Sequence, residues 1–389
     1  MDPEFVVDPY PTYHRLRPED PVHHSPLGFW VLTRYEDVVA ALRDPRLAKE
    51  AIASVVAARF GVEVPPGMGV SMLDRDPPDH TRLRGLVSKA FTPRVVEALR
   101  PHIRQIVDGL LERVEGAGSM DLIEEFAYPL PVVVICEMLG VPVEDYERFK
   151  GWSLEIARSL DLILRPPDSD LARRSADARH ALTDYFRGLI AERRASPRAD
   201  MLSALIAAEE AGDKLSEQEL MATCILLLVA GHETTVNLIG NGTLALLRHP
   251  DELRRLRENP ALIGSTVEEL LRYDGPVQRT ARIPSAAVTI GGLTIDAGEM
   301  VMPFIGAADR DPAHFPDPDR LDIARSDNRH IGFGLGIHFC LGAPLARLEG
   351  QIAINTLVQR LPKLALATDR PEYRQSLTLR GLKTLPVAF

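Results

Sequence analysis

The chain has 389 residues, 45% of them hydrophobic and 26% charged, which is ample material for a large core. Its formal net charge of -10 argues against nucleic acid as the main partner, because a polyanion calls for a basic surface. Three well-separated cysteines, Cys136, Cys224 and Cys340, with no CxxC pair, argue against a disulfide framework and fit a reducing compartment.

The N-terminal sequence MDPEFVVDPYPTYHRLR has no apolar run behind a basic start, so a cytoplasmic protein without a signal peptide or membrane anchor is expected. The most apolar later stretch, Cys224 to Ala230, is too short to span a bilayer. Phe29 to Leu32 reads as a short strand, and Tyr35 to Asp44 as a helix ending before Pro45. Apolar residues then recur at helical spacing in Val95 to Val114, Leu122 to Leu139, Tyr146 to Leu164 and Leu171 to Arg194. The strongest element starts at Ser216, where Ser216 and Glu219 form a capping box, and runs to Arg248-His249-Pro250. Its middle, CILLLVAG, is apolar on all sides and should cross the core.

Ser265 and Glu268 suggest a second cap, for a helix ending near Tyr273. A strand, tight turn and strand follow in Val288 to Ile295, then an irregular Pro- and Asp-rich stretch over residues 309 to 328. The last helix is predicted from about Leu341 to Leu361. The expected fold is mainly α with small β-sheets in a single domain. Its β-containing N-terminal part covers about residues 1–60, and its helical core about 80–361.

The centre of the chemistry is the string Phe333-Gly334-Leu335-Gly336-Ile337-His338-Phe339-Cys340-Leu341-Gly342-Ala343-Pro344-Leu345-Ala346-Arg347. Gly334, Gly336 and Gly342 flank the cysteine and let backbone come close to a flat ligand. Cys340 stands just before a predicted helix, whose N-terminus is expected to lower a thiol pKa and offer N–H groups to a thiolate. A bare Cys-x-Gly would more readily be a buried structural cysteine.

A second motif, Ala230-Gly231-His232-Glu233-Thr234-Thr235, lies in the middle of the long apolar helix. A carboxylate and hydroxyls are costly there unless used or paired. Gly231 weakens the helix, and a hydroxyl bonded back to a freed carbonyl could open a local groove. A third, Glu269-Leu270-Leu271-Arg272, places an ion pair on one helix face. In a fourth, His80-Thr81-Arg82-Leu83-Arg84, the first and last residues share a face and suit an anion.

The cysteine string resembles the haem-binding signature of the cytochrome P450 family, FGxGxHxCxGxxLAR, at every fixed position. Other family motifs follow in the expected order along almost the whole chain. The resemblance implies a cytochrome P450-like fold with a long central helix over haem b, and Cys340 as the proximal iron ligand. A thiolate there donates electron density to the iron and favours O–O cleavage.

By the same resemblance, His80, Arg84, Arg282 and His338 would meet the haem propionates. Leu73, Phe91, Ala230, Pro276, Phe333 and Ala346 would touch the macrocycle, with Gly231, Gly334, Gly336 and Gly342 beside it. Thr234 would hydrogen-bond bound dioxygen, and Glu233 would deliver protons from solvent. The presence of both speaks against a peroxide-using branch. Glu269, Arg272 and Arg320 would form a structural network holding the haem-side loop.

Family substrate-lining regions map to about residues 60–75, 155–175, 223–235, 275–282 and 377–382. Val70, Met72, Leu226, Val229, Val277 and Leu379 make them mostly apolar, which implies a hydrophobic organic substrate. The implied activity is insertion of one oxygen atom from dioxygen, by hydroxylation or epoxidation. No FMN, FAD or iron–sulfur module is visible in the sequence. Electrons would therefore come from a separate ferredoxin or flavodoxin with its reductase, ultimately from NAD(P)H. Lys89 and Arg94 form a candidate docking patch for such an acidic partner. Oxidative coupling or dealkylation on the same scaffold, a non-catalytic haem protein that binds a ligand, and a protein without haem are the alternatives.

Overall fold

A computed structural model describes residues 2–61, 70–164, 170–210 and 215–389. The most strongly marked segment becomes the helix Glu217–Arg248, 32 residues and about 48 Å long. Its start is the expected capping box. Ser216 Oγ accepts from the Glu219 N–H at 3.2 Å, and Glu219 Oε2 accepts from the Ser216 N–H at 2.7 Å. Pro250 ends it and opens the next helix, Pro250–Glu258.

By length and composition this central helix could cross a membrane, which the shorter stretch Cys224 to Ala230 did not suggest. Its apolar faces are occupied by protein instead. Pro129–Leu139, Tyr146–Ser159, Asp170–Ala195, Ile263–Asp274 and Ala343–Arg360 all pack against it. Packing on most sides, and an apolar cavity along the remaining face, explain why the helix is apolar all round.

The β-structure is small. Val22–Ser25 pairs antiparallel with Phe29–Leu32, which runs parallel to Met300–Pro303. The expected hairpin is Val288–Ile290 with Leu293–Ile295, turning at Gly291 and Gly292, whose φ values are 58° and 83°.

Several boundaries differ from the periodicity, and prolines account for two. The helix read over Val95 to Val114 divides into Pro93–Ala98 and Arg100–Val114, with Pro101 in the first turn of the second. Leu122 to Leu139 divides into a π turn, Ile123–Ala127, and the helix Pro129–Leu139. The α-helix from Tyr146 stops at Ser159 rather than Leu164.

Ser265 does not cap the helix Ile263–Asp274, which starts before it. Its Oγ donates back to the Leu262 carbonyl at 2.9 Å. Glu268 is taken by Arg347, at 2.7 and 2.8 Å, and by His330 at 3.1 Å. The last helix, Ala343–Arg360, starts two residues after the predicted Leu341.

The ion pair of the third motif lies wholly inside the protein. Glu269 and Arg272 are both 0% exposed at the side chain and meet through two bonds of 2.8 Å. Arg272 also donates to the carbonyls of Asp309, Pro318 and Arg320.

The third side chain of the network is Arg325, not Arg320. Arg325 Nε lies 3.2 Å from each Glu269 oxygen. Arg320 points to solvent and contributes only its backbone carbonyl, because the turn at residues 316–320 presents carbonyls rather than side chains to Arg272. Arg325→Ala is therefore expected to lower unfolding stability by about 3 kcal/mol, by leaving a buried carboxylate under-compensated. Arg320→Ala should stay within about 0.5 kcal/mol. Urea unfolding of both variants measures the difference, and equal losses would restore Arg320 to the network.

Candidate functional site

The central helix forms one wall of a cavity of about 310 Å3. Leu226, Leu227, Ala230, Gly231, Thr234, Thr235 and Leu238 face it from this side. The opposite wall is the loop from Phe333 and the first turns of Ala343–Arg360, including Gly334, His338, Cys340, Gly342, Ala346 and Glu349. Leu73, Phe91 and Pro276 complete the apolar lining.

The loop is held by its own backbone. Cys340 N–H donates to the Phe333 carbonyl at 2.9 Å, and Arg84 donates to the Phe339 carbonyl at 2.7 Å. Arg347 lies over the Phe333 ring at 4.5 Å. Gly334 and Gly336 have φ values of 70° and 71°, a region that favours glycine.

Gly336 does not line the cavity. Its missing side chain is required on the other side, where a Cβ would come within 2.5 Å of the Leu42 carbonyl. Gly231 has a similar packing reason, since a Cβ there would meet Ile135 at 2.7 Å. The central helix continues through Gly231, with Thr234 Oγ1 donating back to the Ala230 carbonyl at 3.2 Å.

The Cys340 thiol faces the cavity. Burial is the largest influence and pushes its pKa up, while the N–H groups of Gly342 and Ala343 and the cations Arg84 and Arg347 pull it down. Burial wins, so the lowering expected from a helix N-terminus is outweighed. A cation bound at the sulfur would reverse this and favour the thiolate.

At one edge the cavity is strongly basic. His80, Arg84, Arg282 and His338 gather there, the two imidazoles with ring centroids 4.5 Å apart. Arg282 is 3% exposed and spends one nitrogen on Thr280 and Ala281. His80 Nδ1 and His338 Nε2 are buried without a hydrogen-bond partner. Burial is the main cause lowering the His338 pKa to about 2, followed by the charges of Lys49, Arg282, His80 and Arg84. Unpaired donors crowded on one rim of an apolar slot suit an anionic ligand edge.

Glu233 is brought to the same turn as Thr234 but does not line the cavity. It is 3% exposed, and its Oε2 accepts from Arg374 at 2.9 Å. His232 Nε2 lies 3.6 Å from its other oxygen. Burial would raise the carboxyl pKa, but His232 and Arg374 outweigh it and hold the group below its ordinary range. Arg374 escaped sequence reading, because nothing in its neighbourhood points to an acid so distant in the chain.

Of the apolar substrate candidates, Met72, Leu226 and Val277 line the cavity. Val70, Val229 and Leu379 do not. Val229 turns from the central helix into the core, and Leu379 bridges to Val277. The segments 62–69 and 165–169 of the expected lining regions lie outside the described residues.

Such a fold around such a slot defines the class of haem-thiolate oxygenases. The residues fit that group. The slot is largely apolar, its basic rim carries two imidazole nitrogens without partners, and a thiol is set in one wall. The family model described as Cytochrome P450 matches residues 23–372. Cytochrome P450 107B1 of Saccharopolyspora erythraea is 47% identical, over 100% of this chain and 96% of that protein. The vitamin D(3) 25-hydroxylase of Pseudonocardia autotrophica is also 47% identical, over 99% of this chain and 94% of that one. The crystal structure of myxobacterial CYP267B1 in complex with myristic acid superposes with a TM-score of 0.93. It is 46% identical, with 100% of this chain and 98% of that chain covered. The chain belongs to the cytochrome P450 family. It is a haem-thiolate monooxygenase that acts on hydrophobic substrates.

Glu349, in the wall below the thiol, was not singled out by any motif. Burial pushes its carboxyl up to about 8, with the Thr235 hydroxyl working against the rise. Between the ordinary value of 4.5 and about 8 the folded chain binds more protons here than the unfolded one, so stability falls as pH rises. Glu349→Gln removes that slope. The variant should gain on wild type between pH 5 and pH 8.5, by on the order of a few kcal/mol. Thermal unfolding at the two pH values decides it, and parallel curves would place the ionisation of Glu349 elsewhere.

Proposed function

We propose that the whole chain works as one cytochrome P450 domain with haem b between the central helix and the cysteine loop. In this reading Cys340 would hold the iron through its thiolate. The observation that carries the reading is the placement of Cys340 and Thr234 on opposite walls of one slot whose rim carries His80, Arg84, Arg282 and His338. Bound there, the haem supplies the chemistry of dioxygen reduction and oxygen insertion into a substrate.

The chain's own residues bind, orient and protonate. The basic rim would hold the carboxylates of the bound group and so orient it in the slot. Phe333, with Arg347 stacked on it, lines the cavity beside Cys340 and would shield the thiolate side of the bound group. Thr234 presents a hydroxyl to the reaction space from its bond to the Ala230 carbonyl. Glu233 holds a proton-transfer position one residue away, its carboxylate kept by Arg374 and His232. Release of that ion pair would let Glu233 pass solvent protons toward Thr234.

Met72, Leu226 and Val277 give the substrate end an apolar surface. A role in secondary metabolism suits these apolar contacts, since relatives include the monooxygenase PikC of Streptomyces venezuelae and 6-deoxyerythronolide B hydroxylase. Electrons come from NAD(P)H through a ferredoxin or flavodoxin and its reductase, in the cytoplasm. Lys89 and Arg94 offer that partner a basic docking patch.

The test is the difference spectrum of the reduced protein with and without carbon monoxide. A strongly red-shifted Soret band supports a cysteine-ligated haem, and Cys340→Ala should abolish it. An unchanged band in Cys340→Ala would sink the ligand assignment. Thr234→Ala should retain the band, yet divert electrons to peroxide. Product formed per NADPH consumed measures this, and wild-type coupling would remove the role given to Thr234.

A further inference from the structure

The basic rim of the slot is larger than the four residues just described. Lys49 follows the short strand Leu47–Ala48. Its backbone N–H is fixed by the Asp76 carboxylate, at 2.9 and 3.1 Å to the two oxygens. Its side chain lines the same cavity, although the residue is only 9% exposed.

A lysine this buried is rare unless paired. Among the described residues the Lys49 ammonium makes no ion pair with a carboxylate, and no hydrogen bond accounts for its three donors. Burial is the main influence on it and lowers its pKa to about 7, with Arg282 adding to the effect. Asp74 and Asp76 pull the other way without offsetting it.

Packing alone gives no reason for this residue. A methionine would fill the space without desolvating a charge or crowding it against other cations. An ammonium turned into an apolar cavity, among donors that also lack partners, is complete only when an anion arrives.

We infer that Lys49 donates to a haem propionate, as an additional anchor beside His80, Arg84, Arg282 and His338. The inference rests on the haem reading of the slot and adds a residue that lies outside every motif. Lys49 enters from the N-terminal β region, whereas Cys340 belongs to the loop ahead of the helix Ala343–Arg360. The cofactor is thereby tied to two distant parts of the chain.

The experiment uses the haem-loaded protein in three forms: wild type, Lys49→Met and Lys49→Arg. Haem loss to an excess of a haem-scavenging protein is followed by the Soret band, and the midpoint potential is measured on the same samples. Lys49→Met should lose haem about tenfold faster, the expected cost of one charge-assisted bond. Its midpoint potential should fall, because a positive charge near the macrocycle has been removed. Lys49→Arg should keep both values close to wild type. Lys49→Gln, polar but uncharged, replaces the methionine variant if that one does not fold.

Wild-type haem loss and potential in the neutral variant would overturn the inference and leave the haem reading intact. Faster loss with an unchanged potential, not rescued by arginine, would also overturn it, since that pattern marks a packing defect. A wild-type chain that shows no cysteine-ligated haem band would remove the reading on which the inference rests.

Discussion

The structure depends on one ion pair that never meets water. Glu269 and Arg272 are completely buried, so each must satisfy its hydrogen-bonding capacity inside the protein or cost several kcal/mol. They do so by gathering an otherwise irregular stretch. Glu269 accepts from Arg272, Arg325, Asn328 and the Asp322 N–H, while Arg272 donates to the carbonyls of Asp309, Pro318 and Arg320. Asp309 in turn accepts from the Ile331 N–H at 2.8 Å, directly ahead of the cysteine loop. Phe333 then accepts from the Cys340 N–H. These bonds thus link a buried carboxylate to the backbone of the loop that carries Cys340. The pair acts by fixing where a segment without regular secondary structure must lie, and its net contribution to stability matters less.

That stretch also shows where sequence reading stops. Cys340, the glycines around it and the capping box at Ser216 were legible because their chemistry is local. A turn, a helix start or a motif spacing is written within a few residues. Arg320 was misread for Arg325 because the choice is made by the path of an irregular chain, and periodicity says nothing about such a path. Ser265 and Glu268 have the spacing of a cap, yet Glu268 is claimed by Arg347 and His330, both from the region of the cysteine loop. Arg374, Lys49 and Glu349 were invisible for the same reason. Each derives its meaning from a group that is distant in the chain and near only after folding.

Burial and charge divide the slot into regions with different tasks. The thiol wall is apolar apart from the sulfur, Glu349 and a few backbone N–H groups, and burial drives the thiol toward its neutral form. The rim is the reverse, a crowd of cations and imidazoles in which burial first, and then neighbouring positive charge, lowers the pKa of His338 and Lys49. Both regions are unfavourable on their own and become favourable with the same ligand. A metal cation stabilises the thiolate, and two carboxylates neutralise the rim. Cofactor binding should therefore contribute a large share of the stability of this part of the fold.

The acid on the central helix follows a different logic. Glu233 and Thr234 are adjacent, but only Thr234 faces the cavity, and Glu233 turns to Arg374. A carboxylate held in an ion pair is a poor proton carrier, because the partner stabilises its charged form. Arg374 sits at the base of a turn whose other end, at Leu377 and Thr378, is bonded to the buried Asp161 just beyond the helix Tyr146–Ser159. Leu379 in that turn bridges to Val277, which lines the cavity. The segment that holds the acid is thereby tied to a residue of the cavity wall. Backbone pairing and one salt bridge connect the apolar end of the cavity to Glu233, which does not itself line it.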